Sequence, residues 1–233
     1  MTGRPADVDL PKRLAAEASV AMVADGMVLG LGTGSTMAFA LEALAVRIAQ
    51  GLRVTGVPTS DRTAALARTL GIPLTDFAAH QRLDLAIDGA DEVERGTLNL
   101  IKGLGGALLY EKIVAAASDR FVVIADVGKL VHRLGERSPL PVEIVPFGHE
   151  ATLRRLADAG LEPILRKTNG GLYRTDGGHH IADCRTGPIL DPAALDRALR
   201  AMAGVVDTGL FIGMANRAII GMNGGVRIFT SPE

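Results

Sequence analysis

Three groups of polar residues stand out from an apolar chain, and each is set among glycines. The first, Gly30-Leu31-Gly32-Thr33-Gly34-Ser35-Thr36, follows an apolar run and opens a stretch with helical periodicity. Free backbone N–H groups at such a turn, together with the start of a helix, hold an anion. A tight turn capped by Ser35 or Thr36 accounts for the same residues equally well. Two sharper nucleotide motifs do not fit. A dinucleotide fingerprint needs glycine where Ser35 stands and an acid about 20 residues on, yet no Asp or Glu lies between Glu42 and Asp61. A Walker A loop needs a lysine, and none occurs between Lys12 and Lys102.

The second group, Asp88-Gly89-Ala90-Asp91-Glu92, comes directly after the apolar run Leu83 to Ile87. Asp88 and Asp91 are then two carboxylates at one strand end, able to accept hydroxyl protons or to suit Mg²⁺. Ordinary turn capping is the competing account. No histidine stands nearby to complete a metal site. The third group is Lys102-Gly103-Leu104-Gly105-Gly106, which leads into a helix from Ala107 to Ser118 that is apolar almost all round. Glu111 shares its face with Ala107, Val114 and Ala115. A carboxyl group on an apolar stripe has its pKa raised toward neutrality, as a general base or acid requires. An exposed Glu111, or one ion-paired with Lys102, is the alternative. The chain has 20 arginines but only five lysines, at 12, 102, 112, 129 and 167. Lys102 and Lys129 each follow a strand, where a compact ammonium suits a hydroxyl or a developing oxyanion.

These groups need elements to bring them together. In the first half, apolar strands at Met27 to Leu31, Arg53 to Val57, Leu83 to Ile87, Leu98 to Ile101 and Phe121 to Ala125 alternate with helical stretches at Thr36 to Gln50, Asp61 to Leu70 and Ala107 to Ser118. This alternation predicts a doubly wound, mostly parallel Rossmann-like α/β sheet. Ligands bind beyond the carboxyl ends of such strands. After Ser138-Pro139-Leu140-Pro141, a Pro-punctuated hinge, the pattern changes. Strands at Val142 to Val145, Glu162 to Arg166, His180 to Asp183 and Val205 to Phe211, with helices at His149 to Ala159 and Pro192 to Met202, give a βαββαβ order. That order is ferredoxin-like. The apolar runs from Arg217 to Thr230 return to the first sheet. The expected division is 1–132 plus 212–233 for an α/β unit and 133–211 for a smaller α+β unit. His179, His180, Asp183 and Cys184 read as loop polarity beside a Gly177-Gly178 turn, with poor zinc spacing.

Composition narrows the partners. Hydrophobic residues make up 48%, glycine reaches 28 copies and aromatics only 3%, so the core is built from Ala, Val, Leu and Ile. A net charge of -1 with mixed signs gives no footprint for nucleic acid or an anionic membrane. No apolar run is long enough to span a bilayer, no leader pattern opens the chain, and the single Cys184 has no internal disulfide partner. A small-molecule substrate and a cytoplasmic address are expected.

The chain resembles the A-type ribose-5-phosphate isomerases. The resemblance is carried nearly end to end by Gly32-Thr33-Gly34-Ser35-Thr36, Asp88-Gly89-Ala90-Asp91-Glu92, Lys102-Gly103 through Glu111-Lys112, Ile124-Ala125-Asp126 with Lys129, Pro139-Leu140-Pro141-Val142-Glu143, and Gly204-Val205-Val206 with Gly209-Leu210-Phe211. It implies reversible interconversion of ribose 5-phosphate and ribulose 5-phosphate through a cis-enediol, in the non-oxidative pentose phosphate pathway, with no cofactor and no metal. By position, Glu111 is the proton acceptor and Asp88, Asp91 and Lys102 assist it. Thr33, Gly34, Ser35, Thr36, Asp88, Gly89, Ala90, Asp91, Lys102, Gly103, Leu104, Gly105 and Lys129 line the substrate site, with Lys12 matching a basic residue near the amino terminus. A homodimer or tetramer is implied as well. Leu104 and Tyr110 depart from the family's commonest pattern. A non-catalytic sugar-phosphate sensor and a coenzyme A transferase are the competing functions; the sensor needs a DNA-binding segment, and only about 25 residues precede the first strand.

Overall fold

Short runs of Val, Ile, Leu and Ala bury both of their faces, which parallel strands require because helices cover both sides of the sheet. In the computed structural model, which describes residues 9–231, these runs form a six-stranded sheet. Its spatial order is Gly225–Thr230, Arg217–Met222, Phe121–Asp126, Leu85–Gly89, Val28–Leu31 and Thr55–Pro58. Every neighbouring pair is parallel except the terminal hairpin of Arg217–Met222 with Gly225–Thr230. Alternate residues serve opposite layers. Leu85, Ile87, Val122, Ile124 and Ile219 pack under the helices Leu10–Val20 and Ser35–Ala49. Ala86, Val123, Ala125, Ala218 and Ile220 pack against Val114 and Ala115 of the helix Leu108–Ala116. The doubly wound arrangement is therefore present, and the tail does return to the sheet.

A second, antiparallel sheet has the order Val205–Thr208, Leu140–Ile144, His180–Arg185, Glu162–Leu165. With the helices His149–Asp158 and Pro192–Arg200 it makes the ferredoxin-like βαββαβ unit. A third, small sheet was not expected from the sequence. It runs Leu210–Phe211, Leu100–Ile101, Glu92–Glu94, Leu130–Val131, and its strands are too short to show periodicity. It joins the two larger sheets, and Ile101 and Val131 share the core of the smaller unit.

Four further expectations are corrected. The strand expected at Leu83 to Ile87 is Leu85–Gly89, so Asp88 and Gly89 belong to the strand itself. Val205 to Phe211 is not one strand. The chain changes sheets at Gly209, whose N–H donates to the Pro141 carbonyl at 2.7 Å while its own carbonyl accepts the Lys102 N–H at 2.9 Å. The Pro-punctuated hinge is absent, because Leu140 and Pro141 lie inside a buried strand. The helix carrying Glu111 is not buried all round, as its nearly continuous apolar surface led one to expect, since Tyr110 and Ile113 are exposed.

The helix Leu10–Val20 escaped the sequence reading because its buried positions are the small residues Ala15, Ala16 and Ser19 together with Val20, which give a faint apolar stripe. It crosses the sheet over Gly221, where an added Cβ would lie 1.7 Å from the Pro11 carbonyl oxygen. Gly221→Ala is expected to lower the unfolding free energy by about 1–3 kcal/mol through overpacking. Gly170→Ala, where a Cβ meets nothing within 4 Å, is expected to stay within about 0.5 kcal/mol. Urea unfolding of the two variants measures both.

Candidate active site

A cavity of about 320 Å³ opens at the carboxyl ends of the parallel strands. At its inner end three buried charged groups meet. Asp88 comes from the end of Leu85–Gly89, Lys102 from just after Leu100–Ile101, and Glu111 from the first turn of Leu108–Ala116. The Lys102 Nζ lies 3.0 Å from Asp88 Oδ2, 3.3 Å from Glu111 Oε2 and 2.7 Å from the Gly89 carbonyl oxygen. Both sequence accounts of Glu111 thus describe part of the arrangement: it is paired with Lys102, and it is only 4% exposed.

The two carboxylates are treated differently. Asp88 Oδ1 accepts the N–H groups of Thr33 at 3.0 Å and Gly89 at 2.7 Å, and Oδ2 faces Lys102. Glu111 Oε2 accepts no hydrogen bond, because Lys102 is near but poorly aligned. Burial, reinforced by the Asp88 charge and opposed by Lys102, pushes the Glu111 carboxyl up to about 8. Burial raises Asp88 as well, against Lys102 and its backbone donors. Burial disfavours the Lys102 ammonium, but Asp88 and Glu111 outweigh it and hold the ammonium above its usual range. Of the two carboxyl groups, only Asp88 has backbone N–H groups to oppose the rise that burial causes.

The glycine turn serves this cluster as well as the cavity. A Cβ on Gly32 would lie 2.1 Å from Asp88 Oδ1, so only glycine admits that carboxylate. The Thr33 hydroxyl points into a buried group of hydroxyls from Thr59, Ser60 and Thr63, at 2.8, 2.7 and 3.0 Å. Its side chain braces the turn. Neither Ser35 nor Thr36 is the helix cap; Gly34 holds that position at φ 120°, and no side chain caps Ser35–Ala49. Thr33, Gly34, Ser35 and Thr36 all line the cavity, and a helix start without a side-chain cap favours an anion there.

Gly89, Ala90, Asp91, Gly103 and Gly105 line the cavity too. Asp91 Oδ2 accepts the Leu104 N–H at 2.9 Å. Two residues expected at the wall are elsewhere. Asp88 sits behind it, and the Leu104 side chain is exposed; Leu104 contributes its backbone instead. Lys12 and Lys129 stand at the mouth, half-buried, and Lys12 also pairs with Asp9 at 3.0 Å.

Asp126 also lines the cavity, a place that its motif Ile124-Ala125-Asp126 does not by itself assign. Its carboxylate accepts the Gly128 N–H at 2.8 Å and shapes the short 3₁₀ turn that presents Lys129. Arg166 was missed altogether. It ties the carbonyls of Gly103 and Leu104 to Asp183 in the smaller unit, and no local pattern marks an arginine for that task. His179 and His180 bond to Glu143 and to the Tyr173 carbonyl. No cluster of metal-binding side chains occurs among the described residues, nor is any helix among them long and apolar enough to cross a membrane.

The chain matches the family model described as ribose 5-phosphate isomerase A (phosphoriboisomerase A) over residues 55–225. The ribose-5-phosphate isomerase A of Gloeobacter violaceus is 55% identical over 96% of this chain and 97% of its own. That of Gluconobacter oxydans is 52% identical over 94% and 96%. Among solved structures, ribose 5-phosphate isomerase A from Methanocaldococcus jannaschii superposes with a TM-score of 0.91 at 39% identity, covering 94% of this chain and 98% of that one. A D-ribose-5-phosphate isomerase in complex with phospho-erythronic acid gives 0.93 at 35% identity, covering 96% and 99%.

The raised Glu111 pKa has a consequence for stability that needs no substrate. Folding favours the protonated acid: below the ordinary carboxyl value of 4.5 the group is protonated whether folded or unfolded and imposes no penalty, and stability is lost as pH rises toward about 8. Glu111→Gln removes that loss. The variant is expected to match the parent's melting temperature near pH 4.5 and to exceed it increasingly up to pH 8–9; equal melting temperatures at pH 9 contradict the burial argument.

Proposed function

The chain belongs to the ribose 5-phosphate isomerase A family, and we propose that the cavity carries the family's reaction with Glu111 as the group that moves the carbon-bound proton. It interconverts D-ribose 5-phosphate and D-ribulose 5-phosphate. The observation that carries the assignment of Glu111 is its carboxylate: buried, on the cavity wall, beside an ammonium, with one oxygen free of hydrogen bonds.

Starting from the open-chain aldose, Glu111 takes the proton from C2 and the electron pair moves to form a cis-enediolate with charge on O1. Lys102, held by Asp88 and the Gly89 carbonyl, lies where that charge develops. The same carboxyl then returns its proton to C1, while the O2 hydroxyl proton is transferred to O1 and C2 becomes the ketone. Asp91 lines the cavity and is the better placed of the two aspartates to relay that hydroxyl proton, which leaves Asp88 to fix Lys102. The phosphate lies at the opposite end, against the uncapped start of Ser35–Ala49 with Lys12 and Lys129 supplying charge. None of these steps uses a metal or an organic cofactor.

We take residues 1–132 plus 212–233 as the catalytic unit and 133–211 as the smaller one, supported by the two separate large sheets, although Ile101 and Val131 pack into the core of the smaller unit and Phe211 into that of the larger; the first eight and last two residues lie outside those described. A cytoplasmic address accords with the buried free Cys184, and association into a dimer or tetramer accords with exposed apolar side chains such as Phe147 and Leu190.

Glu111→Gln is expected to lower kcat by roughly 10²-fold or more with KM little changed; steady-state assay of ketose formation decides, and near-parental turnover removes Glu111 from this role. Because the base must be ionised, kcat/KM is expected to fall as pH drops below about 8. Chelation by EDTA is expected to leave turnover intact, and a loss restored by Mg²⁺ overturns the metal-free reading.

A further inference from the structure

Lys112, next to Glu111 in sequence, is buried and points into the smaller unit. Its Nζ lies 2.7 Å from Asp207 Oδ1 and 2.7 Å from the Thr208 carbonyl oxygen, and 5.0 Å from the centre of the Phe211 ring. The segment that receives it also receives the other side of the catalytic cluster. The Gly209 carbonyl accepts the Lys102 N–H at 2.9 Å, and the Lys102 ammonium lies 5.4 Å from the centre of the same Phe211 ring. The contact is close: a Cβ on Gly209 would fall 2.2 Å from the Lys102 carbonyl oxygen.

We propose that the segment 207–211, gripping Lys112 through Asp207, is a positioning element that registers Glu111 against Lys102. Leu108, Glu111, Lys112 and Ala115 share the buried stripe of the helix. Glu111 reaches toward Lys102 and Lys112 toward Asp207, so rotation or sliding of the helix breaks at least one contact. A buried ion pair is weak grounds for stability, since apolar residues of like volume commonly replace one at no loss. What the Lys112 chelate supplies instead is a fixed position, and a misplacement of about 1 Å at a reacting group costs about 10²-fold in rate.

This inference rests on the assignment of Glu111 as base for its effect on turnover, but not for its effect on Glu111 itself. The charged groups acting on Glu111 are Lys102, Asp88 and Asp91; those acting on Lys112 are Asp207, Asp196 and Arg200. If the helix shifts, Lys102 pulls less on the Glu111 carboxylate and its titration moves to higher pH. The test is the double variant Lys112→Met/Asp207→Leu, which removes both charges together. It is expected to keep a melting temperature near the parent's, to hold KM within about threefold, to lose at least about tenfold in kcat, and to show the Glu111 carboxyl ¹³C resonance titrating at higher pH than in the parent. Parental kcat with an unmoved Glu111 titration overturns the proposal and makes the pair structural only. Should the double variant not fold, Lys112→Arg keeps the charge but misfits the two oxygens. The same loss and titration shift are expected of it, and their absence is equally decisive. Failure of the base assignment is seen separately, as a Glu111→Gln enzyme that still turns over.

Discussion

Two buried carboxylates share one ammonium at the floor of the cavity, and most of the surrounding structure follows from making that tolerable. Fully ionised, the trio of Asp88, Glu111 and Lys102 carries an excess negative charge out of reach of water, a state that burial makes costly. The chain lowers the cost unevenly. Backbone N–H groups of Thr33 and Gly89 are given to Asp88, while Glu111 Oε2 has none. One carboxylate is thereby stabilised as an anchor and the other is left able to exchange its proton. Burial raises both carboxyl groups, and only Asp88 has backbone donors to oppose it.

That uneven arrangement depends on main chain lying very close to side chain, which explains where several glycines fall. Gly32 leaves room for the Asp88 carboxylate, and Gly209 lets the strand change sheets against the Lys102 carbonyl. The parallel sheet supplies rigidity: Asp88 is in register with Val123, and Gly89 with Ile124, of a strand buried along nearly its full length. Donors held by a sheet do not reorganise when charge moves in the cavity, the condition for electrostatic stabilisation of a developing oxyanion.

How much of this the sequence discloses depends on the range of the interaction. The alternation of strands and helices was legible because each element carries its own period, and the βαββαβ unit followed from element order. The turn at Gly30 to Thr36, the acids at Asp88 and Asp91, and the helix at Glu111 were legible as local motifs. The short joining sheet was not, for two- and three-residue strands have no period. Nor was the helix Leu10–Val20, whose buried face is made of two alanines, a serine and a single valine. The expected roles of Ser35 and Thr36 as caps failed because Gly34 takes the capping position at a φ that suits glycine. Leu104 was placed at the wall by motif alone, but a peptide group can serve a site while its side chain faces water. Arg166 and Asp207 act across 62 to 95 residues of chain, and nothing in their own neighbourhoods announces it.

The smaller unit makes sense in the same terms. It contributes no residue to the lining of the cavity, yet it holds three parts of the apparatus: Arg166 grips the Gly103-Leu104 turn, Gly209 pairs with Lys102, and Asp207 receives Lys112. Two of these contacts fix backbone and the third the Lys112 ammonium, and none adds a charge to the floor of the cavity. A cluster already burdened with excess negative charge gains nothing from further ionic groups, but it does need both carboxylates kept at 3.0 and 3.3 Å from the ammonium. Supporting them from the smaller unit lets that spacing be set by packing at a distance, while at the floor Glu111 Oε2 faces the Lys102 ammonium without a hydrogen bond of its own.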